Sequence, residues 1–195
     1  TILCGRNFEY MSEDPLLAGR MAAGITHGVQ AHPGRGVTVK HFAFNNQETN
    51  RLNSNSHVSQ RAARDLYLRS FEIVVREAQP HALMTSYNLV NGVHTSESAE
   101  LLETILREEW GYQGLVMTDW VVDGITRTDA PHPRATAPAT IKAGNELFMP
   151  GCENDRQAIL AALRGEEGAI VALSREELAK QAARVVRMVW QLAGR

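Results

Sequence analysis

Residues 114–120 read Gly-Leu-Val-Met-Thr-Asp-Trp, an apolar run with the character of a buried β-strand that stops at a carboxylate followed by an aromatic residue. A side chain at that point leaves a parallel sheet at its carboxyl edge, where loops are free to carry chemistry. Asp119 is therefore the candidate nucleophile. A helix N-cap or a turn aspartate would give the same local pattern, so the rest of the chain has to decide between these readings.

Strand-like and helical segments alternate along the chain. The strand-like runs occupy residues 1–6, 37–39, 82–86, 115–118 and 146–149, and a segment with helical periodicity follows each of them. Alternation with connections of helix length predicts a parallel sheet with right-handed crossovers. An α/β fold of this kind is either a doubly wound sheet or a barrel.

Glycine spacing and length favour the barrel. Gly34-x-Gly36 precedes its strand and is followed by Val39, so the fingerprint of a dinucleotide-binding sheet is not met. A barrel of eight units needs about 250 residues, and this chain has 195. The sequence therefore predicts the C-terminal portion of a (β/α)8 TIM-type barrel, about five β/α units, as one partial domain over residues 1–195. Five strands cannot close the ring, and the absent units would supply part of any site.

Helix boundaries follow from capping residues. Asp14-Pro15 is a start signal for the first helix, and Ser174-x-x-Glu177 is a capping box for the last. The apolar residues that recur on one face are Leu17, Met21, Ile25 and Val29 in the first helix and Leu101, Leu102, Ile105 and Leu106 after Ser98. In residues 59–77, the predicted buried side consists of Leu66, Phe71, Val74 and Val75.

The composition fits an ordinary soluble domain and excludes several classes of function. Hydrophobic residues make up 44% of the chain and charged residues 22%, and the net charge of −2 has no basic cluster that would follow a phosphate backbone. Neither a nucleic acid nor a membrane is an expected partner, since no apolar run approaches the roughly 20 residues of a membrane span. The compartment stays open between cytoplasm and export.

Cofactor motifs are missing as well. The sequence contains no His-Glu-x-x-His, no acidic calcium loop and no Gly-x-Ser-x-Gly, and its histidines lack metal-ligand spacing. We therefore expect neither a metal nor a cofactor. Cys4 and Cys152 lie far apart in sequence and are expected to be free thiols.

Polar side chains fall where the predicted strands end. They are Arg6, Lys40, His41, Tyr87, Asp119 and Trp120. Each has a structural explanation when taken alone, such as a surface pair between Arg6 and Glu9. Together they indicate a binding site, because burial of basic groups near a carboxylate is unfavourable in free energy unless the groups are paired or bind a ligand. Directional donors around one carboxylate, with an aromatic face nearby, suit a carbohydrate substrate.

Five stretches of the sequence resemble glycoside hydrolase family 3, the family of many β-glucosidases and β-xylosidases. They are GRNFEYMSEDP at 5–15, KHFAFNNQETNR at 40–51, SYN at 86–88 followed by NG at 91–92, GLVMTDW at 114–120 and AGNELFMPG at 143–151. The resemblance implies that Asp119 is the nucleophile, which forms a covalent glycosyl-aspartate ester in a retaining, exo-acting enzyme. It also implies roles in sugar binding for Arg6, Lys40, His41, Arg51, Tyr87 and Trp120. Arg51 is nominated by the resemblance alone.

The chain departs from one branch of the family. Phe42 is followed by Ala43-Phe44-Asn45-Asn46 rather than the Pro-Gly-His-Gly loop of the N-acetylglucosaminidases, which favours the β-glucosidase and β-xylosidase branch. In that branch the general acid/base is a glutamate on an α/β-sandwich domain, and no segment here matches it. The resemblance thus implies that the missing strands and the acid/base-bearing domain act as partners, in the same or another chain.

Alternatives remain at this point. Glu9 and Glu48 could substitute for the missing acid, although Arg6 and Arg51 lie near enough in sequence to pair with them and keep them deprotonated. Lys40 at a barrel strand end could instead serve a Schiff-base aldolase. A catalytically incomplete fragment that only binds sugar is the third reading.

Overall fold

A parallel sheet of four strands lies at the centre of the computed structural model, which describes residues 4–125 and 132–194. The strands are β1 (Thr38–Phe42), β2 (Asn55–Ser56), β3 (Ala82–Thr85), β4 (Leu89–Val90), β5 (Val93–His94), β6 (Leu115–Trp120) and β7 (Leu147–Met149). The central sheet has the order β1-β3-β6-β7, with every neighbouring pair parallel. The carboxyl ends of these strands therefore meet at one edge.

Three of the short strands form a second, smaller sheet beside that edge. β2 pairs in parallel with β4, and β4 pairs with β5 as an antiparallel hairpin. Asn91 and Gly92 turn the hairpin with φ values of 48° and 89°, the positive-φ pair that a tight two-residue turn requires.

Helices connect the strands of the central sheet. They are α1 (Pro15–Gln30), α2 (Gln60–Ala62), α3 (Arg69–Ala78), a π-helix (Glu100–Glu109), α4 (Val122–Ile125), α5 (Ala137–Ala143), α6 (Glu153–Arg164) and α7 (Arg175–Leu192), with 3₁₀ turns at Asn7–Glu9 and Thr95–Glu97 and a π-type segment at Ala63–Tyr67. The Asp14 carboxylate accepts from Leu17 N at 2.8 Å at the start of α1. At the start of α7, Ser174 and Glu177 form the reciprocal capping box. Both predicted helix starts are confirmed.

The predicted opening strand lies largely outside the described residues. Residues 1–3 are not described, Cys4 is irregular, and Gly5 and Arg6 form a turn. The described residues thus contain four of the five predicted strands of the sheet. Cys4 and Cys152 are both free, as expected.

The core lies between the sheet and the helices on one of its faces. Fully buried members include Phe42, Val75, Leu83, Leu102, Leu106 and Val116. The predicted apolar face of the π-helix is buried throughout. Leu66, however, was predicted to be buried and is 55% exposed, whereas Leu68 is 2% exposed. The π-type segment explains this error, because one extra residue in a turn rotates the following side chains to another side of the helix.

α1 packs on α3 through its small residues instead of its large apolar ones. A Cβ placed on Gly19 would lie 2.8 Å from Ile73 Cβ, so this glycine permits the close approach of the two helices. The face that carries Leu17, Met21 and Ile25 is largely exposed. Within the described residues, no helix combines the length and the apolar character that a membrane crossing requires.

Candidate functional site

A cavity of about 300 Å³ opens at the carboxyl edge of the central sheet. Its lining consists of Arg6, Lys40, His41, Glu48, Arg51, Met84, Tyr87, Asp119, Trp120 and Met149. All the site residues that the sequence nominated line this one cavity. Lys40, His41, Tyr87, Asp119 and Trp120 converge because β1, β3 and β6 run in the same direction and end together, whereas Arg6 and Arg51 reach the cavity from turns outside the sheet.

Asp119 lies near the end of β6 and is 5% exposed. Its Oδ1 accepts a hydrogen bond from the Trp120 backbone N at 2.7 Å, which fixes the carboxylate against its own strand. Its Oδ2 lies 3.5 Å from His41 Nε2. The carboxylate is therefore held at one oxygen by the backbone and faces an imidazole with the other.

His41 connects Asp119 to a tyrosine. The Tyr10 hydroxyl lies 2.9 Å from His41 Nδ1 on the side of the ring opposite to Asp119. Burial lowers the pKa of His41 from 6.5 to about 4, although the nearby negative charge of Asp119 acts in the opposite direction. The imidazole is consequently uncharged at neutral pH.

The two permanent cations Arg6 and Lys40 share one carboxylate, Glu9. Arg6 donates to both oxygens of Glu9, at 2.8 and 2.7 Å, and Lys40 Nζ lies 2.9 Å from Glu9 Oε2. The hydrogen bonds from Arg6 and Lys40 lower the pKa of Glu9 to about 2, so Glu9 is ionised at neutral pH. The expected pairing of Glu9 is confirmed. Within the described residues, the ion-pair contact of Asp119 is with His41, while Arg6 and Lys40 are paired with Glu9.

A second ion pair borders the cavity on the side of the loop after β1. Arg51 Nη1 lies 3.0 Å from Glu48 Oε2, as expected, and its guanidinium carbon lies 5.1 Å from the centre of the Tyr87 ring. The Tyr87 hydroxyl donates to the backbone oxygen of Trp120 at 2.8 Å. Burial, followed by the charge of Asp119, raises the pKa of Tyr87 above its usual range, so this hydroxyl keeps its proton.

Residues outside the predicted set complete the site. Met84 and Met149 supply apolar surface to the cavity, and the Tyr10 hydroxyl contacts His41 Nδ1. Periodicity gives no signal for Tyr10, because it follows a single 3₁₀ turn rather than a strand or a long helix. Within the described residues, no cluster of three or more His, Cys, Asp or Glu side chains could hold a metal ion.

A parallel α/β sheet whose strand ends surround a buried carboxylate with guanidinium, ammonium, imidazole and aromatic groups has the features of a glycoside hydrolase domain. Sequence comparison identifies the family. The chain belongs to the glycosyl hydrolase family 3 N-terminal domain, whose family model matches residues 4–188.

Several relatives are similar over much of the chain. An exo-alpha-(1->6)-L-arabinopyranosidase of Bifidobacterium longum is 47% identical over 163 residues, which are 84% of this chain and 20% of that protein. Beta-glucosidase A of Butyrivibrio fibrisolvens is 54% identical over 118 residues, which are 60% of this chain and 14% of that protein. The chain thus spans about a fifth or less of the length of these curated relatives.

Solved structures share the fold. The structure of beta-glucosidase 3B from Thermotoga neapolitana in complex with glucose has a TM-score of 0.85 and 41% sequence identity, and the match covers 97% of this chain and 25% of that one. A beta-glucosidase of Bifidobacterium adolescentis has a TM-score of 0.82 and 44% identity, and the match covers 98% of this chain and 26% of that one.

Proposed function

We propose that this chain forms the nucleophile side of the active site of a retaining, exo-acting β-glycosidase of the β-glucosidase type. The observation that carries the proposal is the position of Asp119, buried at the carboxyl end of β6 in a cavity lined by Arg6, Lys40 and Arg51. Family membership and the beta-glucosidase names of several relatives support it.

The fold proposal is that the chain is the C-terminal portion of a (β/α)8 barrel. The strand order β1-β3-β6-β7 supports it, because sequential β/α units lie side by side as they do in a barrel, with no reversal of order. The remaining strands and a second domain then lie elsewhere in the functional protein. The small share of each relative that the chain covers is consistent with this arrangement.

In the proposed reaction, the Asp119 carboxylate attacks the anomeric carbon of a terminal sugar while the bond to the leaving-group oxygen breaks. The product of this step is a glycosyl-aspartate ester, which water then hydrolyses with net retention of configuration. Because Asp119 Oδ1 already accepts a hydrogen bond from Trp120 N, Oδ2 is the proposed attacking oxygen. The uncharged His41 contributes a hydrogen-bond donor without neutralising the nucleophile.

A retaining glycosidase also needs a carboxylic acid about 5 to 5.5 Å from the nucleophile. Glu9 is unsuitable, because a group with a pKa of about 2 holds almost no proton at neutral pH. Glu48 is paired with Arg51 at 3.0 Å. Neither of these two glutamates suits this role, so we propose that the acid/base lies on the domain that the family resemblance implies.

Sugar hydroxyls are the proposed partners of the remaining donors. The groups that can donate into the cavity are Arg6, Lys40, His41 and Arg51. Trp120, which is 55% exposed, offers an apolar face at the mouth. A cavity of about 300 Å³ lies at the small end of the range for ligand sites, which supports one terminal sugar rather than an extended chain as its occupant.

The aldolase alternative is less well supported than the glycosidase. A Schiff-base lysine must direct a free amine at a carbonyl substrate, whereas Lys40 Nζ is engaged with the Glu9 carboxylate at 2.9 Å. Sugar binding without turnover is what we propose for the 195 residues alone, since the acid/base is placed outside them.

The nucleophile can be tested in the full-length protein with Asp119→Asn. We expect the turnover of aryl β-glucosides to fall by about 10³-fold or more, because the amide cannot form the ester intermediate. Asp65→Asn is the matched control, since Asp65 is exposed and forms a surface pair with Arg61. A 2-deoxy-2-fluoroglycoside should label the peptide that contains Asp119. Labelling of another residue, or near-normal turnover by Asp119→Asn, would refute the assignment.

A further inference from the structure

A line of polar contacts runs from Tyr10 through His41 to Asp119. The Tyr10 hydroxyl contacts His41 Nδ1 at 2.9 Å, and His41 Nε2 faces Asp119 Oδ2 at 3.5 Å. The side chain of His41 is 2% exposed, so bulk solvent has little access to either ring nitrogen. The protonation of this ring therefore depends on its two protein neighbours.

The direction of each contact follows from donor and acceptor chemistry. An ionised carboxylate can only accept, so the nitrogen that faces Asp119 must carry a hydrogen. Burial keeps the pKa of His41 at about 4, which leaves the ring a single hydrogen at neutral pH, on Nε2. Nδ1 then presents a lone pair. Burial also raises the pKa of Tyr10 to about 12, so its hydroxyl retains the hydrogen that Nδ1 can accept.

We propose that Tyr10 is a positioning residue whose hydroxyl donates to His41 Nδ1, opposes protonation of the imidazole, and directs its Nε2 hydrogen at Asp119 Oδ2. The inference extends the proposed function, since it concerns the residue proposed there as nucleophile. A hydrogen bond to the neutral form of a base opposes its protonation. A charged imidazolium would form an ion pair with Asp119 and weaken the carboxylate as a nucleophile.

Charged groups of both signs surround His41. Asp119 and Glu9 favour protonation of the ring, whereas Arg6 and Lys40 oppose it. Arg6 and Lys40 are themselves paired with Glu9, which weakens their effect on His41. Tyr10 acts without adding charge, because it occupies the Nδ1 lone pair at which a second proton would bind.

Tyr10→Phe removes the hydroxyl and preserves the ring, whose centroid lies 6.3 Å from that of His41. Nuclear magnetic resonance of the full-length protein labelled with ¹⁵N-histidine reports the tautomer and the titration midpoint of His41, with His41→Gln used to assign its signals. We expect the Nε2–H neutral tautomer in the wild type. In Tyr10→Phe the midpoint should rise by about half to one pH unit, as the loss of one hydrogen bond implies.

The kinetic readout separates this role from a purely structural one. Tyr10→Phe should move the acidic limb of the pH profile of kcat/KM upward by the same half to one unit. A general loosening of the pocket would instead lower kcat/KM at every pH without moving the limb. Tyr67→Phe is the matched control, because Tyr67 contacts Phe44 through its ring and its hydroxyl makes no hydrogen bond to the described part of the protein.

Two outcomes would overturn the proposal. One is an Nδ1–H tautomer of His41 in the wild type, which decides the matter even if the variant does not fold. The other is a His41 titration that is the same in Tyr10→Phe as in the wild type. A wild-type protein that cleaves no glycoside, while its His41 midpoint still responds to Tyr10→Phe, would refute the proposed function and support the positioning role.

Discussion

Glu146 is the residue whose replacement should disturb the domain most clearly without touching the cavity. Its side chain is 0% exposed and lies between the π-helix, β6 and α7. Its carboxylate accepts from Arg107 Nη2 at 2.7 Å, from Arg184 Nη1 at 2.9 Å and from Val116 N at 2.5 Å. Glu146 thus anchors the strand that carries Asp119 at its other end.

The cost of Glu146→Gln follows from what the substitution leaves behind. Arg107 and Arg184 have side-chain exposures of 8% and 13%, so both would keep poorly solvated charges without their shared partner. Breaking a buried pair by removal of one member costs about 3 to 5 kcal/mol. The Val116 N–H can still bond to the remaining amide oxygen. Arg184 also retains Glu103 at 2.8 Å. We therefore expect a loss of about 3 kcal/mol in the free energy of unfolding, at the low end of that range.

Chemical denaturation followed by tryptophan fluorescence measures this quantity. Glu153→Gln is the matched control, because Glu153 pairs with Arg156 on the surface, where water screens both charges, so this substitution should change the free energy of unfolding little. A loss smaller than about 1 kcal/mol for Glu146→Gln would show that the buried charges are compensated in another way, and the reasoning about this network would be wrong.

Two further predictions concern helix packing and pH. Gly19→Ala should destabilise the domain by about 1 to 3 kcal/mol, because the added Cβ would collide with Ile73. Gly24→Ala is the control and should stabilise the domain by up to about 1 kcal/mol, since its Cβ meets no described atom within 4 Å. Equal effects of the two substitutions in thermal unfolding would contradict the packing argument. The pKa of His41 is about 4 in the folded protein and 6.5 in the unfolded chain, so the unfolded chain binds more protons between these two pH values. The free energy of unfolding should therefore fall as the pH drops from about 6.5 to about 4, by on the order of 3 kcal/mol, and should change no further below about pH 4. His41→Gln should remove this component and the exposed His57→Gln should not, and an unchanged pH dependence in His41→Gln would refute the assignment.

Local signals in the sequence predicted the elements well where one physical cause dominated. Capping chemistry located the starts of α1 and α7, because the side chain of Asp14 or Ser174 satisfies backbone N–H groups a few residues away. The run at 115–118 predicted β6, since an apolar, β-branched segment bounded by glycine has few alternatives. The predicted burial of Leu66 was wrong because a π-type turn rotates the side chains of the helix, and residue spacing does not reveal such a turn.

The nominated site residues were also accessible from the sequence, through strand ends and the family resemblance. The short-range pairs Arg6–Glu9 and Arg51–Glu48 were accessible as well, but contacts between residues far apart in sequence were not. Arg6 and Lys40 lie 34 positions apart in sequence and meet at Glu9. Tyr10 and His41 are similarly distant and had no joint signal. Such contacts depend on how the turn before α1 lies against the end of β1, which no local pattern encodes.

The amino-acid order by itself determined the alternation of strands and helices, the helix starts and the identity of the carboxylate at the end of β6, because these depend on neighbours a few positions away. The tertiary structure alone decided which charges far apart in sequence face each other and which side of α1 is covered. It brought Lys40 to Glu9 and placed His41 beside Asp119. The physical reason is that burial and Coulomb interactions depend on distances of a few ångströms between residues far apart in the chain, and those distances exist only once the sheet has formed.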